Sequence, residues 1–182
     1  MELGLDGRRA LVLASSSGLG AAVARGLAAE GARVAVTSRD AGRGAVTRDD
    51  VGAEVALTGD LAVAGTAERF VDEAVDALDG LDVLVVNTGS AGGVGSLLDR
   101  DAATDEAAYA AMLRPAMAAM RHAAPHLRTS DQGRIVVLTA RSIAEATNEL
   151  ALSSVFRSAA AAAARSMALD FAPEVTVNVV VT

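Results

Sequence analysis

Six apolar segments recur along the chain, and stretches with helical periodicity separate them. The segments are rich in Val, Leu and Ala and contain few polar positions, as is typical of parallel strands that are buried on both faces. They are ALVLA (10–14), RVAVT (33–37), EVALT (54–58), LDVLVVN (81–87), RIVVLT (134–139) and VTVNVVV (175–181). The pattern therefore predicts six buried strands.

Two helices are predicted by apolar positions that fall on one face. Leu19, Val23 and Leu27 share a face of a first helix, which Gly31 ends. A stripe of apolar residues over 70–78 predicts another helix in the interval before the fourth strand.

The second half of the chain contains two longer helical patterns. Apolar residues over 109–120 recur at spacings of three and four, and Pro115 is expected to kink that helix. Residues 155–172 have a high helix propensity and predict a helix that ends at Pro173. Two internal glycines in 40–52 predict only a short or frayed helix there. Strand and helix thus alternate throughout, which predicts one domain with a doubly wound parallel α/β sheet in three layers.

Composition narrows the possible functions. The 182 residues suffice for one domain, and 52% are hydrophobic but only 2% aromatic, which favours helices packed closely on the sheet. The chain has no Cys, so it has no disulfide and no thiolate metal ligand. All 16 basic residues are Arg. The two histidines, His122 and His126, are spaced as a metal pair but lack an evident carboxylate partner, so we interpret them as surface residues and expect no metal.

Charge and hydropathy indicate a soluble protein without nucleic-acid or membrane partners. The net charge of −7 repels polyanions on average, and the sequence has no basic cluster to offset that repulsion. No uncharged apolar run approaches the roughly 18 residues needed to span a bilayer, and the N-terminus lacks the order of regions of a signal peptide. We expect a cytoplasmic location.

A loop of small residues joins the first predicted strand to the first helix. Backbone N–H groups and the helix dipole make such a loop an anion site, and small side chains let a pyrophosphate approach. The candidate cofactor-binding residues here are Ala14, Ser15, Ser16, Ser17, Gly18, Leu19 and Gly20. The alternative is that the glycines serve only the geometry of the turn.

The end of the second strand predicts which dinucleotide is bound. About 20 residues after such a loop, an acidic residue would bind the ribose of NAD, whereas an Arg accommodates the 2′-phosphate of NADP. The strand ends with Ser38 and Arg39, so NADP(H) is favoured over NAD(H). In the alternative interpretation, Arg39 is a solvated surface residue and Asp40 caps the next helix.

Taken together, these motifs resemble those of the short-chain dehydrogenase/reductase family over essentially the whole chain. ASSSGLG (14–20) stands where that family has T-G-x-x-x-G-x-G, GDL (59–61) where an acidic residue contacts adenine, VVNTG (85–89) for N-N-A-G, and PEVTVNVVV (173–181) near the sixth strand. The chain is most similar to a divergent branch related to 3-oxoacyl-ACP reductases. The resemblance adds Asp60, Leu61, Asn87, Thr88, Gly89 and Thr139 to the candidate cofactor-binding residues.

The resemblance also implies where the catalytic residues of the family would fall. Ser153 occupies the position of the catalytic Tyr and Arg157 that of the Lys, while Ala140 and Met112 occupy the Ser and Asn positions. A Ser hydroxyl is a much weaker acid than a phenol, and an Arg does not give up its proton. Thr139, Ser142 and Ser153 are nevertheless able to supply hydroxyls near the nicotinamide.

Two functions follow from this resemblance. The first is NADP(H)-dependent hydride transfer between the nicotinamide and a small carbonyl or alcohol substrate. The alternative is a non-catalytic NADP(H)-binding or sensing protein that has lost the catalytic residues. The resemblance further implies that 1–182 is a Rossmann domain lacking the usual C-terminal segment of the family. It also implies a homodimer or homotetramer formed through the helices at about 104–127 and 151–172, with Ala161 to Ala164 and Met117 exposed.

Overall fold

The computed structural model describes residues 3–89, 94–145 and 147–182. Within these residues, six strands form one parallel sheet in the order β3-β2-β1-β4-β5-β6. The strands are β1 (Arg9–Val12), β2 (Arg33–Ser38), β3 (Val55–Thr58), β4 (Val83–Val86), β5 (Gly133–Thr139) and β6 (Val175–Val181). Each coincides with one of the predicted segments. All of the pairings between neighbouring strands are parallel.

Helices cover both faces of the sheet, so the predicted doubly wound architecture is confirmed. They are α1 (Gly18–Ala29), α2 (Ala41–Val51), α3 (Thr66–Leu78), α4 (Ala102–Ala108), α5 (Arg114–Arg128) and α6 (Ala151–Phe171). Because β4 lies on the other side of β1 from β2, the strand order reverses at β1. Ligands of such sheets bind at the carboxyl ends of the strands beside this reversal.

The predicted short or frayed helix over 40–52 is wrong, because α2 is a regular helix of 11 residues. The Asp40 carboxylate accepts a hydrogen bond from the Arg43 backbone N–H at 2.7 Å, and Gly52 ends the helix with a left-handed φ of 75°. Gly44 is buried, and a Cβ there would lie 3.2 Å from the Ser38 Cβ. The two caps and this close approach to β2 outweigh the low helix propensity of glycine.

The face predicted for α1 is also partly wrong. Leu19 is 51% exposed, whereas the residues buried against the sheet are Gly20 and Ala24. Val23 and Leu27 are half-buried and pack beside them. Small residues face the sheet because this helix lies close to it, so the largest apolar side chain of the first turn points away.

The predicted irregularity near Pro115 takes the form of a π-helical turn. Tyr109–Leu113 form this turn between α4 and α5, and Pro115 lies in the first turn of α5. Proline has no N–H to donate to the carbonyl four residues earlier, which explains why regular helix stops here. The turn places the wall formed by Ala107, Ala110 and Ala111 beside the carboxyl end of the sheet.

Small side chains dominate the helix faces that cover the sheet. Ala116, Ala119 and Ala123 of α5 are fully buried together with Phe70 of α3. Ala161 and Ala164 of α6 are also buried within the chain, so they do not provide the exposed surface that the sequence predicted for subunit contacts. In the described ranges, no helix is both long and apolar enough to cross a membrane.

Candidate active site

A cleft with a volume of about 740 Å³ opens at the carboxyl ends of β1, β2 and β4. Of the residues predicted to bind a cofactor, those that line it are Ala14, Ser16, Ser17, Ser38, Arg39, Asp60, Leu61, Asn87, Thr88 and Gly89. Ser15, Gly18, Leu19, Gly20 and Thr139 are not among the residues that line the cleft. The structure thus brings together residues from four separate sequence motifs. Part of the Gly-rich segment 87–96, namely 90–93, lies outside the described residues.

Ser15 is buried under the loop and does not line the cleft. Its side chain is fully buried, donates a hydrogen bond to the Val12 carbonyl at 2.7 Å and accepts one from the Thr37 backbone N–H at 2.8 Å. The hydroxyl of Thr37 in turn accepts a hydrogen bond from the Ala14 backbone N–H at 2.8 Å. These bonds join the end of β1 to β2 and fix the shape of the loop.

Ala14 adopts a left-handed backbone conformation, with a φ of 47°. This conformation costs an L-residue other than Gly roughly 1–2 kcal/mol. Gly18, four residues later, has a φ of 56°, and a Cβ there would meet nothing within 4 Å. Both positions are thus left-handed, but the alanine at position 14 is strained in this conformation, whereas the glycine at position 18 adopts it freely.

Exchanging the residue type at these two positions should change stability in opposite directions. We expect Ala14→Gly to stabilise the protein by about 1 kcal/mol and Gly18→Ala to destabilise it by a similar amount. Thermal unfolding should then shift by roughly 2–4 °C upward and downward, respectively. Equal shifts of the same sign in both variants would contradict this explanation.

Gly20 allows α1 to approach the strands closely. A Cβ at this position would lie 2.5 Å from the Ala14 carbonyl oxygen and 2.9 Å from Asn87 Nδ2. Asn87 Nδ2 itself donates a hydrogen bond to the Ala14 carbonyl at 3.0 Å. The end of β4 is therefore tied to the loop, and only glycine fits between them.

The N-terminus of α1 is open to an anion. Ser17 is the N-cap residue, its side chain makes no capping hydrogen bond, and the first turn contains no acidic residue. Both Ser16 and Ser17 line the cleft. Free N–H groups and the positive end of the helix dipole at this point are suited to a phosphate group.

Two arginines at the end of β2 face the same cleft. Arg39 and Arg43 both line it, and in the described part of the chain neither forms an ion pair with a carboxylate. Asp40 also lines the cleft, but its carboxylate caps α2 through the Arg43 backbone N–H. Arg43 was not among the predicted site residues; it lies in the first turn of α2, just after the strand end that carries Arg39.

A connected polar cluster lies beside the cleft wall at Gly89, although none of its three side chains is among the residues that line the cleft. Ser142 Oγ and Ser153 Oγ are 3.1 Å apart, and Arg157 Nε donates to Ser153 Oγ at 3.2 Å. Arg157 Nη2 also donates to the carbonyl of Gly89 at 3.4 Å, which places the guanidinium beside the cleft wall. Burial lowers the pKa of Arg157 from its ordinary value. The cluster joins β4, the turn after β5, and α6.

Three predicted positions lie outside this cluster. Met112 is buried in a small apolar group with Ala108 and Leu152, so it acts in packing. Ala140 precedes the short 3-10 turn Arg141–Ile143 and has no polar side chain. Thr139 is buried, and its hydroxyl donates to the Val180 carbonyl at 3.0 Å, which directs it toward β6 instead of the cleft.

The two histidines lie on α5, away from the cleft. His122 Nε2 is 2.7 Å from an Asp72 carboxylate oxygen of α3. Over the described residues, no group of three or more His, Asp or Glu side chains is placed to hold a metal ion.

Comparison with known proteins agrees with this geometry. The strand order and the position of the cleft are those of the doubly wound α/β fold that binds dinucleotides in other proteins. The sequence profile described as short chain dehydrogenase matches residues 8–182. The chain therefore belongs to the short-chain dehydrogenase family, whose members are oxidoreductases that use nicotinamide cofactors.

Solved structures of this family are closely similar. A short-chain dehydrogenase from Burkholderia cenocepacia in complex with NADP has a TM-score of 0.88 and 31% identity, with 96% of this chain and 73% of that chain covered. A short-chain dehydrogenase from Mycobacterium smegmatis has a TM-score of 0.90 and 25% identity, with 97% and 77% covered.

Curated relatives match over shorter regions. D-beta-hydroxybutyrate dehydrogenase from Cupriavidus necator is 32% identical over 136 residues, which cover 72% of this chain and 52% of the relative. Dehydrogenase/reductase SDR family member 4 from Bos taurus is 40% identical over 101 residues, covering 52% and 36%. The matched regions thus span between about a third and a half of the length of these relatives.

Proposed function

We propose that this chain binds NADP(H) in the cleft and acts as an oxidoreductase on a small carbonyl or alcohol compound. The observation that carries the choice of cofactor is the pair Arg39 and Arg43, two cations on one cleft wall without a carboxylate partner among the described residues. Ser38 places no carboxylate at the end of β2. A 2′-phosphate would be a negatively charged partner for both guanidinium groups.

The residues present are suited to a dinucleotide. The close approach at Gly20 and the uncapped N-terminus of α1 provide a cradle for the pyrophosphate. Asp60 and Leu61 also line the cleft and can contact the adenine. Asn87 holds the loop through the Ala14 carbonyl, and Thr88 and Gly89 line the wall that leads to the Ser142–Ser153–Arg157 cluster.

The cluster would act at the reacting end of the cofactor. When bound, the reduced nicotinamide would supply a hydride to a carbonyl carbon, while the carbonyl oxygen would take a proton from a neighbouring hydroxyl or from water; alcohol oxidation is the reverse. Ser153 accepts a hydrogen bond from Arg157, which leaves its own hydroxyl hydrogen free for Ser142 or for a substrate oxygen. Arg157 keeps its proton and therefore binds and orients without serving as the acid.

A second function, NADP(H) binding without turnover, is favoured by Ser153 and Arg157 themselves. They occupy the positions at which the family resemblance implies a Tyr and a Lys. A positioned general acid contributes roughly 10²- to 10⁴-fold to a rate, and an alkyl hydroxyl is a poor acid at neutral pH. Any carbonyl reduction should therefore be slow.

Paired binding and turnover assays test both functions. Calorimetric titration with NADPH and NADH should give one site per chain and tighter binding of NADPH. NADPH oxidation is then followed by absorbance over a panel of aldehydes, ketones and oxo acids. Slow reduction that Ser153→Ala abolishes would support the oxidoreductase, and stoichiometric binding without any turnover would support the non-catalytic alternative. Absence of binding of either dinucleotide would overturn both.

We propose further that the chain forms a homodimer or homotetramer through α5 and α6. Val155 and Leu169 of α6 are exposed, and both are apolar. Light scattering on the eluting protein at micromolar concentrations should give a multiple of the monomer mass. A monomer mass throughout this range would contradict the proposal.

A further inference from the structure

Arg157 is a half-buried cation in the Ser142–Ser153–Arg157 cluster beside the cleft wall. In the stretches 3–89, 94–145 and 147–182, no carboxylate lies within ion-pair distance of its guanidinium. Its partners are the Ser153 hydroxyl at 3.2 Å and the Gly89 carbonyl at 3.4 Å. A guanidinium carries five N–H donors, so these two bonds leave most of its donors available.

Keeping a charge away from water costs free energy unless a group of opposite charge compensates it. Burial accordingly lowers the pKa of Arg157, and desolvation is the cause. The nearby groups that the guanidinium contacts are neutral. Among the described residues, the guanidinium is therefore a partly desolvated cation without a negatively charged partner.

We propose that Arg157, Ser153 and Ser142 bind a carboxylate of the substrate, so that the substrate is a small oxo- or hydroxycarboxylate. A guanidinium offers two parallel donors that match the two oxygens of a carboxylate. The hydroxyl pair, with its oxygens 3.1 Å apart, has one further hydroxyl hydrogen to donate. Contact between Arg157 and Gly89 places this anion site beside the cleft wall.

This inference rests on the proposed function, because it assigns the substrate class of the same site. It differs from a role in cofactor binding, in which Arg157 would contact the cofactor itself. The two roles make opposite predictions for an Arg157 variant. A substrate role lowers affinity for the acid alone, whereas a cofactor role lowers affinity for the dinucleotide.

The test measures binding by calorimetry, with and without saturating NADP⁺, so that no turnover is needed. The probes are pyruvate, acetoacetate and levulinate, each compared with its neutral methyl ester, which keeps the carbonyl and removes the charge. At least one acid should bind about 10- to 100-fold more tightly than its ester. Arg157→Gln should remove this preference, Arg157→Lys should retain part of it, and Ser153→Ala should reduce it.

Arg165→Gln is the matched control, because Arg165 lies eight residues later on α6 and is exposed. It should leave both the acid preference and the NADP⁺ affinity unchanged. Equal binding of every acid and its ester, or no binding of any acid to the NADP⁺ complex, would overturn the inference. So would an Arg157→Gln variant that weakens NADP⁺ binding while keeping the acid preference.

The proposed function fails separately, if the wild-type protein binds neither NADP⁺ nor NADPH. In that case the titrations without cofactor still decide whether Arg157 binds a carboxylate. Circular dichroism of each variant verifies its fold. If Arg157→Gln does not fold, Arg157→Lys and Ser153→Ala decide the outcome.

Discussion

Replacing Arg39 and Arg43 together by glutamine should weaken NADPH binding about 100-fold and leave NADH binding nearly unchanged. The 2′-phosphate is the group by which the two dinucleotides differ, and it is the group that these guanidinium side chains are available to bind. Both line the cleft, and neither has a carboxylate partner among the described residues. Each single variant should bind NADPH about 10-fold more weakly. The two effects should not be strictly additive, because the two cations would share one ligand.

Arg48→Gln provides the control for this pair. Arg48 lies on the same helix, forms an ion pair with Asp49 at 2.7 Å and is not part of the cleft lining. It should change neither affinity. Isothermal titration of the wild type and the four variants with both dinucleotides measures the ratio of the two dissociation constants for each protein. An unchanged ratio in the double variant would mean that Arg39 is a solvated surface residue, the alternative that the sequence left open.

The strands could be predicted from sequence because their signal is local. Segments such as LDVLVVN combine β-branched and apolar residues without polar interruption, and β4 is buried throughout. Helix packing was harder to predict. Leu19 has the largest apolar side chain in the first turn of α1 and yet is exposed, because the distance between helix and sheet selects Gly20 for the inner face.

Part of the candidate site could also be predicted from local signals. The loop after β1 and the end of β2 are recognisable because each motif is contiguous in sequence and lies at a strand end. The link between Ser142 and Ser153 depends on how the turn after β5 meets α6, which no local pattern encodes. That no carboxylate among the described residues pairs with Arg157 is likewise a property of three-dimensional packing.

Asp82 directly precedes β4, at the amino ends of the strands and opposite the cleft, and is 2% exposed. Its carboxylate accepts hydrogen bonds from the Arg9 backbone N–H at 2.9 Å, from Arg9 Nε at 2.9 Å and Nη2 at 2.8 Å, and from Ser130 Oγ at 2.6 Å. Arg9 also donates to the carbonyl of Asp79. These bonds, above all those from the Arg9 side chain, hold the pKa of Asp82 well below its ordinary range, although burial opposes them. The carboxylate thus joins β1 to the segments before β4 and β5.

Asp82→Asn should destabilise the protein by about 3 kcal/mol, because it removes the charge that pairs with Arg9 and turns an amide donor toward other donors. The melting temperature should fall by roughly 6–12 °C.

The control is Asp131→Asn, since Asp131 pairs with Arg8 at 2.5 Å but its side chain is 73% exposed. Because solvent screens this exposed pair, its loss should change stability far less than the loss of the Asp82 carboxylate. Neither variant should change dinucleotide affinity, because both residues lie at the amino ends of the strands and the cleft lies at the carboxyl ends.

The pH dependence gives the sharper test of the Asp82 interaction. A carboxylate whose pKa is lower in the folded state stabilises that state above its unfolded pKa of about 3.9, and this contribution is lost as the pH falls toward the folded pKa. The difference in unfolding free energy between wild type and Asp82→Asn should therefore be constant from pH 7 to about pH 5 and shrink below pH 4. Urea unfolding at each pH measures it. A difference that stays constant down to pH 2.5 would mean that Asp82 stabilises the fold by shape and not by its charge.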